Sequence, residues 1–86
     1  MRMKYIMMDN LGMFSDGTGF FIFPEFEEHL SVANKMGGKE HVVGAGFVSI
    51  KSIDNKVKIQ CYGDSHSLKI CVGEKDSRII QMYLEG

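Results

Sequence analysis

The sequence predicts an α+β fold, in which a small antiparallel sheet of about five strands, including a three-stranded meander, packs against one or two helices. Two stretches predict it. From His41 to Val72 apolar and polar residues alternate, and the alternation is broken twice by tight-turn dipeptides, Asp54-Asn55 and Gly63-Asp64. From Pro24 to Met36 apolar residues recur at helical spacing instead, and the pattern stops at Gly37-Gly38. Length bounds the answer: 86 residues make a single domain, 1–86, and a chain of this size buries only about 60% of the surface it exposes when unfolded. A partner or a second copy adds to the stability of so small a core.

The elements follow in order. Lys4 to Met8 is a short apolar run that reads as a first strand, bounded by Asp9-Asn10. Asp16-Gly17 is a hairpin-type dipeptide, after which Phe20, Phe21, Ile22 and Phe23 supply a second strand that Pro24 ends. Pro24 also suits a first helical position, and Glu25, Glu27 and Glu28 place negative charge at the positive end of a helix dipole. Phe26, Leu30 and Ala33 recur at i, i+4 and i+7, flanked by Val32 and Met36, so the spacing predicts a helix over Pro24 to Met36 with His29 bordering the core.

Asp54-Asn55 as a type I′ turn pairs Val48 with Cys61, Ile50 with Ile59 and Ser52 with Val57. Gly63-Asp64 as a type II′ turn pairs the same middle strand onward, Cys61 with His66, Ile59 with Leu68 and Val57 with Ile70. One face is then nearly all apolar. The other carries Phe47, Tyr62 and Ser65, then Ser49, Gln60 and Ser67, then Lys51, Lys58 and Lys69. A one-residue slip destroys both patterns, so the two registers support each other. Glu74 to Leu84 reads as a C-terminal helix from Ile79, Met82 and Tyr83, with Gly73 near its start; alternation of Ile80, Met82 and Leu84 leaves a strand open.

The formal net charge of −1 excludes a global positive field that would recruit nucleic acid or an acidic membrane. The distribution is uneven. No Lys or Arg falls between Lys4 and Lys35, an interval that holds Asp9, Asp16, Glu25, Glu27 and Glu28, whereas Lys51, Lys56, Lys58 and Lys69 cluster later. No apolar run approaches the roughly 20 residues of a membrane helix, and Tyr5 to Met8 is too short for a signal-peptide core. The expected location is the cytoplasm, with Cys61 and Cys71 as free thiols.

Several motifs invite a catalytic or binding reading. Val42-Val43-Gly44-Ala45-Gly46-Phe47 begins like a dinucleotide-binding fingerprint, but Ser49 stands at the third glycine and a strand follows where a helix N-terminus is needed. The two glycines instead mark a bulge or a close backbone approach. Gly63-Asp64-Ser65-His66 resembles a serine-esterase motif, yet neighbours along a strand face opposite ways and form no relay among themselves. Turn chemistry explains it better, and a small hydrolase around Ser65 and His66 stays a remote alternative. His29, His41, His66, Cys61 and Cys71 lack the paired spacing of a zinc site, so neither metal nor cofactor is expected. His66, opposite Cys61 in the predicted register, reads as a partly buried histidine.

The lysine row is the informative oddity. Lys51, Lys58 and Lys69 lie side by side, a placement that costs a few tenths of a kcal/mol per exposed pair, with Phe47 and Tyr62 beyond them. Basic residues interleaved with aromatics suit a nucleic-acid backbone and its bases. The bland reading is a solvated face whose lysines discourage aggregation.

At the residues FIFPEFEEHLSVANKMG, followed by HVVGAGFVSI and a CYG turn, the chain resembles small uncharacterised proteins of bacteria, phages and prophages. That resemblance implies a small phage-borne accessory protein inside the host cell. It acts by occupying a surface of a host or defence protein, or by sequestering a small nucleotide signal. The function expected is therefore a non-enzymatic interaction protein, binding a protein partner or a second copy as a homodimer. Its face is Phe47, Lys51, Lys58, Tyr62 and Lys69, and single-stranded nucleic acid is the alternative ligand.

Overall fold

The computed structural model describes residues 2–85, and they form the expected α+β fold. A four-stranded antiparallel sheet is built from β1 (Met3–Met8), β2 (Gly19–Pro24), β3 (Val42–Ile53) and β4 (Lys56–Tyr62), in the order β2-β1-β3-β4. A second, two-stranded sheet pairs β5 (Asp64–Ser65) with β6 (Ile70–Cys71). The helices are α1 (His29–Lys35) and α2 (Asp76–Glu85).

β1 alternates between two cores, which is why it occupies the middle of the sheet. Ile6 and Met8 point to one side, where Phe23, Ala45, Val42 and the α1 residues Val32 and Ala33 enclose them. Tyr5 and Met7 point to the other, against Phe20, Val48, Ile59 and Ile80 of α2. Both faces of the sheet are thus covered around β1. The face that alternation leaves apolar does not carry both helices: α1 and α2 lie on opposite sides of the sheet.

The first hairpin of the meander forms as expected. Val48 pairs with Cys61, Ile50 with Ile59 and Lys51 with Lys58. Asp54 and Asn55 take φ of 52° and 66°, the left-handed pair of a type I′ turn. The second hairpin does not form in the expected register. At Gly63, φ 77°, the chain leaves the main sheet, and Ser65 pairs with Ile70 rather than Tyr62 with Ser65. The turn closes through Ser65 itself, whose carbonyl accepts the Lys69 N–H at 2.8 Å and whose hydroxyl accepts the Leu68 N–H at 3.2 Å. Leu68 and Ile70 therefore join the α1-side core, opposite to the Val48 face assigned to them by alternation.

Helix α1 starts later than the pattern predicts. Pro24 still pairs with Met3 in the sheet, and the segment after it is tied down along β1 by the Arg2–Glu25 ion pair and by the Lys4 ammonium on the Glu27 carbonyl. Phe26 consequently lies outside the helix and is 76% exposed instead of lining the apolar stripe. Glu28 supplies no side-chain cap; Ser67 of the small hairpin accepts the Leu30 N–H in its place, at 3.1 Å. Residues 76–85 confirm the helical reading of the C-terminal stretch.

The glycine pair of β3 is explained by close approach. A bulge shifts the β1–β3 register, so that Met7 faces Gly44 while Met8 faces Val42. A Cβ on Gly44 would sit 2.3 Å from Asp76 Oδ2, and one on Gly46 would meet Val72 and the Tyr62 carbonyl at 2.6 and 2.7 Å. Both glycines admit the segment that carries α2 across the sheet.

Candidate functional site

The α1-side face of the sheet is covered over only half its length. Beyond Ala45 it bears a row of Phe23, Lys4, Phe47 and Tyr62, one residue from each strand in turn. Ser49 and Gln60 follow, then Lys51 opposite Lys58. Arg2 reaches over the same area, its guanidinium carbon 4.5 Å from the Phe47 ring centroid. Phe47 and Tyr62 stack at 5.7 Å with 21° between their planes. The half-face therefore presents an aromatic pair framed by Arg2, Lys4, Lys51 and Lys58, with no acidic side chain on its strand positions.

Four of the five expected site residues, Phe47, Lys51, Lys58 and Tyr62, share this face. Lys69 does not. It sits in the turn of the small hairpin with φ 57°, exposed, because that hairpin pairs with itself instead of extending β4. Arg2 and Lys4 take its place in the cationic frame. Their contribution required knowing that β1 lies beside β3, a long-range pairing with no local sequence signal. The acidic segment also lies beside this face, through Arg2–Glu25.

At the border between the open half-face and α1 lies a cleft of about 440 Å³, lined by Lys4, Glu28, His29, Phe47, Asp64, His66 and Ser67. Its size is in the range of small-ligand sites. His29 forms its floor. The side chain is only 3% exposed, its Nε2 lies 2.8 Å from the Gly46 carbonyl, and its ring meets Phe23 and Phe47 edge-on. Burial pushes this imidazole below its usual range, aided by the nearby Lys4 charge and opposed by the Gly46 bond and by Asp64. His29 is thus neutral near pH 7, with Nε2–H donating and Nδ1 holding a lone pair. The expectation that it borders the core agrees with this position.

His66 is exposed, not partly buried, and it does not oppose Cys61, whose sheet partner is Val48. Ser65 is 1% exposed and its hydroxyl is engaged by the turn, so the serine motif is turn architecture here. Among the described residues no three His, Cys, Asp or Glu side chains converge. No described helix is long and apolar enough to cross a membrane.

A buried polar cluster occupies the opposite side of the sheet. The Tyr5 hydroxyl donates to Asp76 Oδ2, which also accepts the Gly73 N–H at 2.9 Å. Burial, reinforced by the Asp76 carboxylate, pushes the Tyr5 phenol far up. Burial likewise raises the Cys61 thiol, so it is not an activated nucleophile. This cluster anchors α2.

Comparison with protein-family models, curated proteins and solved structures finds no match to the chain. The functional reading rests on the residues themselves.

Proposed function

We propose that the protein is a non-enzymatic interaction protein that offers the open half-face of its sheet to a negatively charged protein partner. One observation carries this reading: the stacked Phe47–Tyr62 pair, partly exposed with Arg2 over the Phe47 ring, stands inside a frame of Arg2, Lys4, Lys51 and Lys58. Aromatic residues and arginine anchor protein interfaces, while charges around them steer the encounter and select the partner. The reading assumes a cytoplasmic setting, and a phage origin would make a host or defence protein the natural partner.

The test is capture from nuclease-treated lysate by the parent protein and by Lys51→Glu/Lys58→Glu, compared side by side. A partner held by the parent and lost by the double variant supports the reading. Equal capture by both removes this face from it.

The second reading, single-stranded nucleic acid, is favoured by the same stacked pair, since bases stack on such platforms between backbone-binding cations. Four cations would give a plot of log affinity against log salt a slope near about −3, at roughly 0.7 per neutralised phosphate. Absence of oligonucleotide binding at low salt sinks it.

A further inference from the structure

We propose that the cleft between α1, β3 and the small hairpin is a nucleotide site that reads a guanine base through the acceptors of His29 and Asp64. This goes beyond partner binding on the open half-face and does not rest on it.

The argument begins with an unpartnered atom. The Gly46 carbonyl can only accept, so His29 Nε2 carries the hydrogen and Nδ1 keeps a lone pair. No described protein group bonds Nδ1. Yet every fully buried side-chain nitrogen and oxygen among the described residues has a partner. Nδ1 is therefore not fully buried, and the cleft that His29 lines is the opening we assign to it.

The rest of the lining decides what that is. The carboxylates of Asp64 and Glu28, both free of hydrogen bonds and ion pairs to described residues, accept only. Lys4 spends one of its donors on the Glu27 carbonyl at 2.8 Å and keeps the others. Ser67 accepts the Leu30 N–H and lies 3.4 Å from the Ser65 hydroxyl, where either oxygen can donate. The cleft thus offers three groups that only accept, His29 Nδ1, Asp64 and Glu28, against the Lys4 ammonium that only donates, with His66 and Ser67 able to do either and Phe47 as an apolar wall. A base matching it must present adjacent N–H groups beside a carbonyl. Guanine does so with N1–H, the N2 amino group and O6. Adenine and cytosine present a single amino group next to a ring acceptor, and uracil one N–H between two carbonyls.

The phosphates have a direction to run. Lys51 is four residues along β3 from Phe47, about 14 Å at roughly 3.4 Å per residue, with Lys58 beside it and Arg2 over the Phe47 ring. A single phosphate on a base in the cleft falls short of that pair. A triphosphate, or a second nucleotide of a strand, approaches it.

Calorimetric titration of the full chain at pH 7.5 with GMP, AMP, CMP, UMP and GTP tests this. Short RNAs with and without guanine separate a free nucleotide from a strand. The expected result is a preference for guanine of about ten-fold or more, as bidentate base reading gives, and tighter binding of GTP than of GMP. Asp64 is exposed, so Asp64→Asn leaves the fold intact and is expected to remove the preference. His29→Gln keeps an N–H for the Gly46 carbonyl and removes Nδ1, with the same expected loss. Should that variant fail to fold, Asp64→Asn decides alone. Equal affinity for the four monophosphates, no heat at millimolar ligand, or an unchanged preference in Asp64→Asn overturns the proposal. RNA binding that ignores guanine but disappears in Lys51→Glu/Lys58→Glu also overturns it, while leaving the basic half-face standing.

Discussion

Of the polar groups held in the interior, those of His29 and Tyr5 each make a measurable prediction. The folded state lowers the His29 pKa from its ordinary value by burial. Above about pH 6.5, the unfolded imidazole value, both states are neutral and nothing is lost. As pH falls through that value the unfolded chain binds the proton first, so stability declines until the folded-state pKa is reached. Urea midpoints taken between pH 7.5 and 5.5 are expected to fall, and His29→Gln is expected to flatten that decline. Asp16, held low by the Thr18 hydroxyl and N–H, acts at lower pH: its stabilisation is present above the unfolded carboxylate range and lost as pH falls through its folded value. For Tyr5, replacement by Phe leaves a buried Asp76 carboxylate with the Gly73 N–H as its remaining described donor. The expected cost is about 1–3 kcal/mol, read as a lowered urea midpoint. Neither role was legible in the sequence, because both depend on partners far along the chain. Tyr5 reads as one more apolar strand residue, and Asp76 as a helix-start acid, until the Gly44 and Gly73 gaps bring them together.

Among the elements, local signals predicted what local chemistry controls. Asp54-Asn55 set the β3–β4 register because both residues tolerate positive φ, and the helical spacing of Ile79, Met82 and Tyr83 marked α2. The second hairpin failed for an equally physical reason. Leu68 and Ile70 alternate in a way that fits either core, so alternation alone does not say which side they fill. The outer edge of β4, which that hairpin was expected to cover, is instead capped by α2: Ser77 Oγ accepts the Cys61 N–H at 2.7 Å and Gln81 Oε1 accepts the Ile59 N–H at 3.3 Å. Exposed strand edges invite pairing with another chain, and a helix that satisfies their donors suppresses it. Ser77→Ala with Gln81→Ala is expected to cost only about 0.5–1.5 kcal/mol per bond but to raise self-association, followed by sedimentation velocity at increasing concentration. A double variant that stays as monodisperse as the parent shows that these side chains do not guard the edge.

At the level of the whole molecule, the sheet joins two cores that share one strand. Met8 fills the α1 side and Ile80 the α2 side, both with no exposed surface, and β1 contributes alternate residues to each. The candidate site depends on this arrangement. The open half-face exists because α1 and the small hairpin cover only the Ala45 end of the sheet, and the cleft exists where that cover stops. A strand common to both cores cannot keep one while the other dissolves, since losing Tyr5 and Met7 from their packing releases Ile6 and Met8 as well. The molecule is therefore expected to unfold as one unit. Met8→Ala and Ile80→Ala each remove a fully buried side chain at a cost of about 2–5 kcal/mol, and in a domain of this size each kcal/mol moves the midpoint by roughly 4–8 °C. Helical circular dichroism reports both helices, whereas tyrosine fluorescence includes Tyr5 in the α2-side core. In either variant the two signals are expected to fall together at one lowered temperature. A Met8→Ala protein that loses helical signal before its tyrosine signal changes would show two cores that unfold separately, and the half-face on the α1 side would then not be a fixed surface.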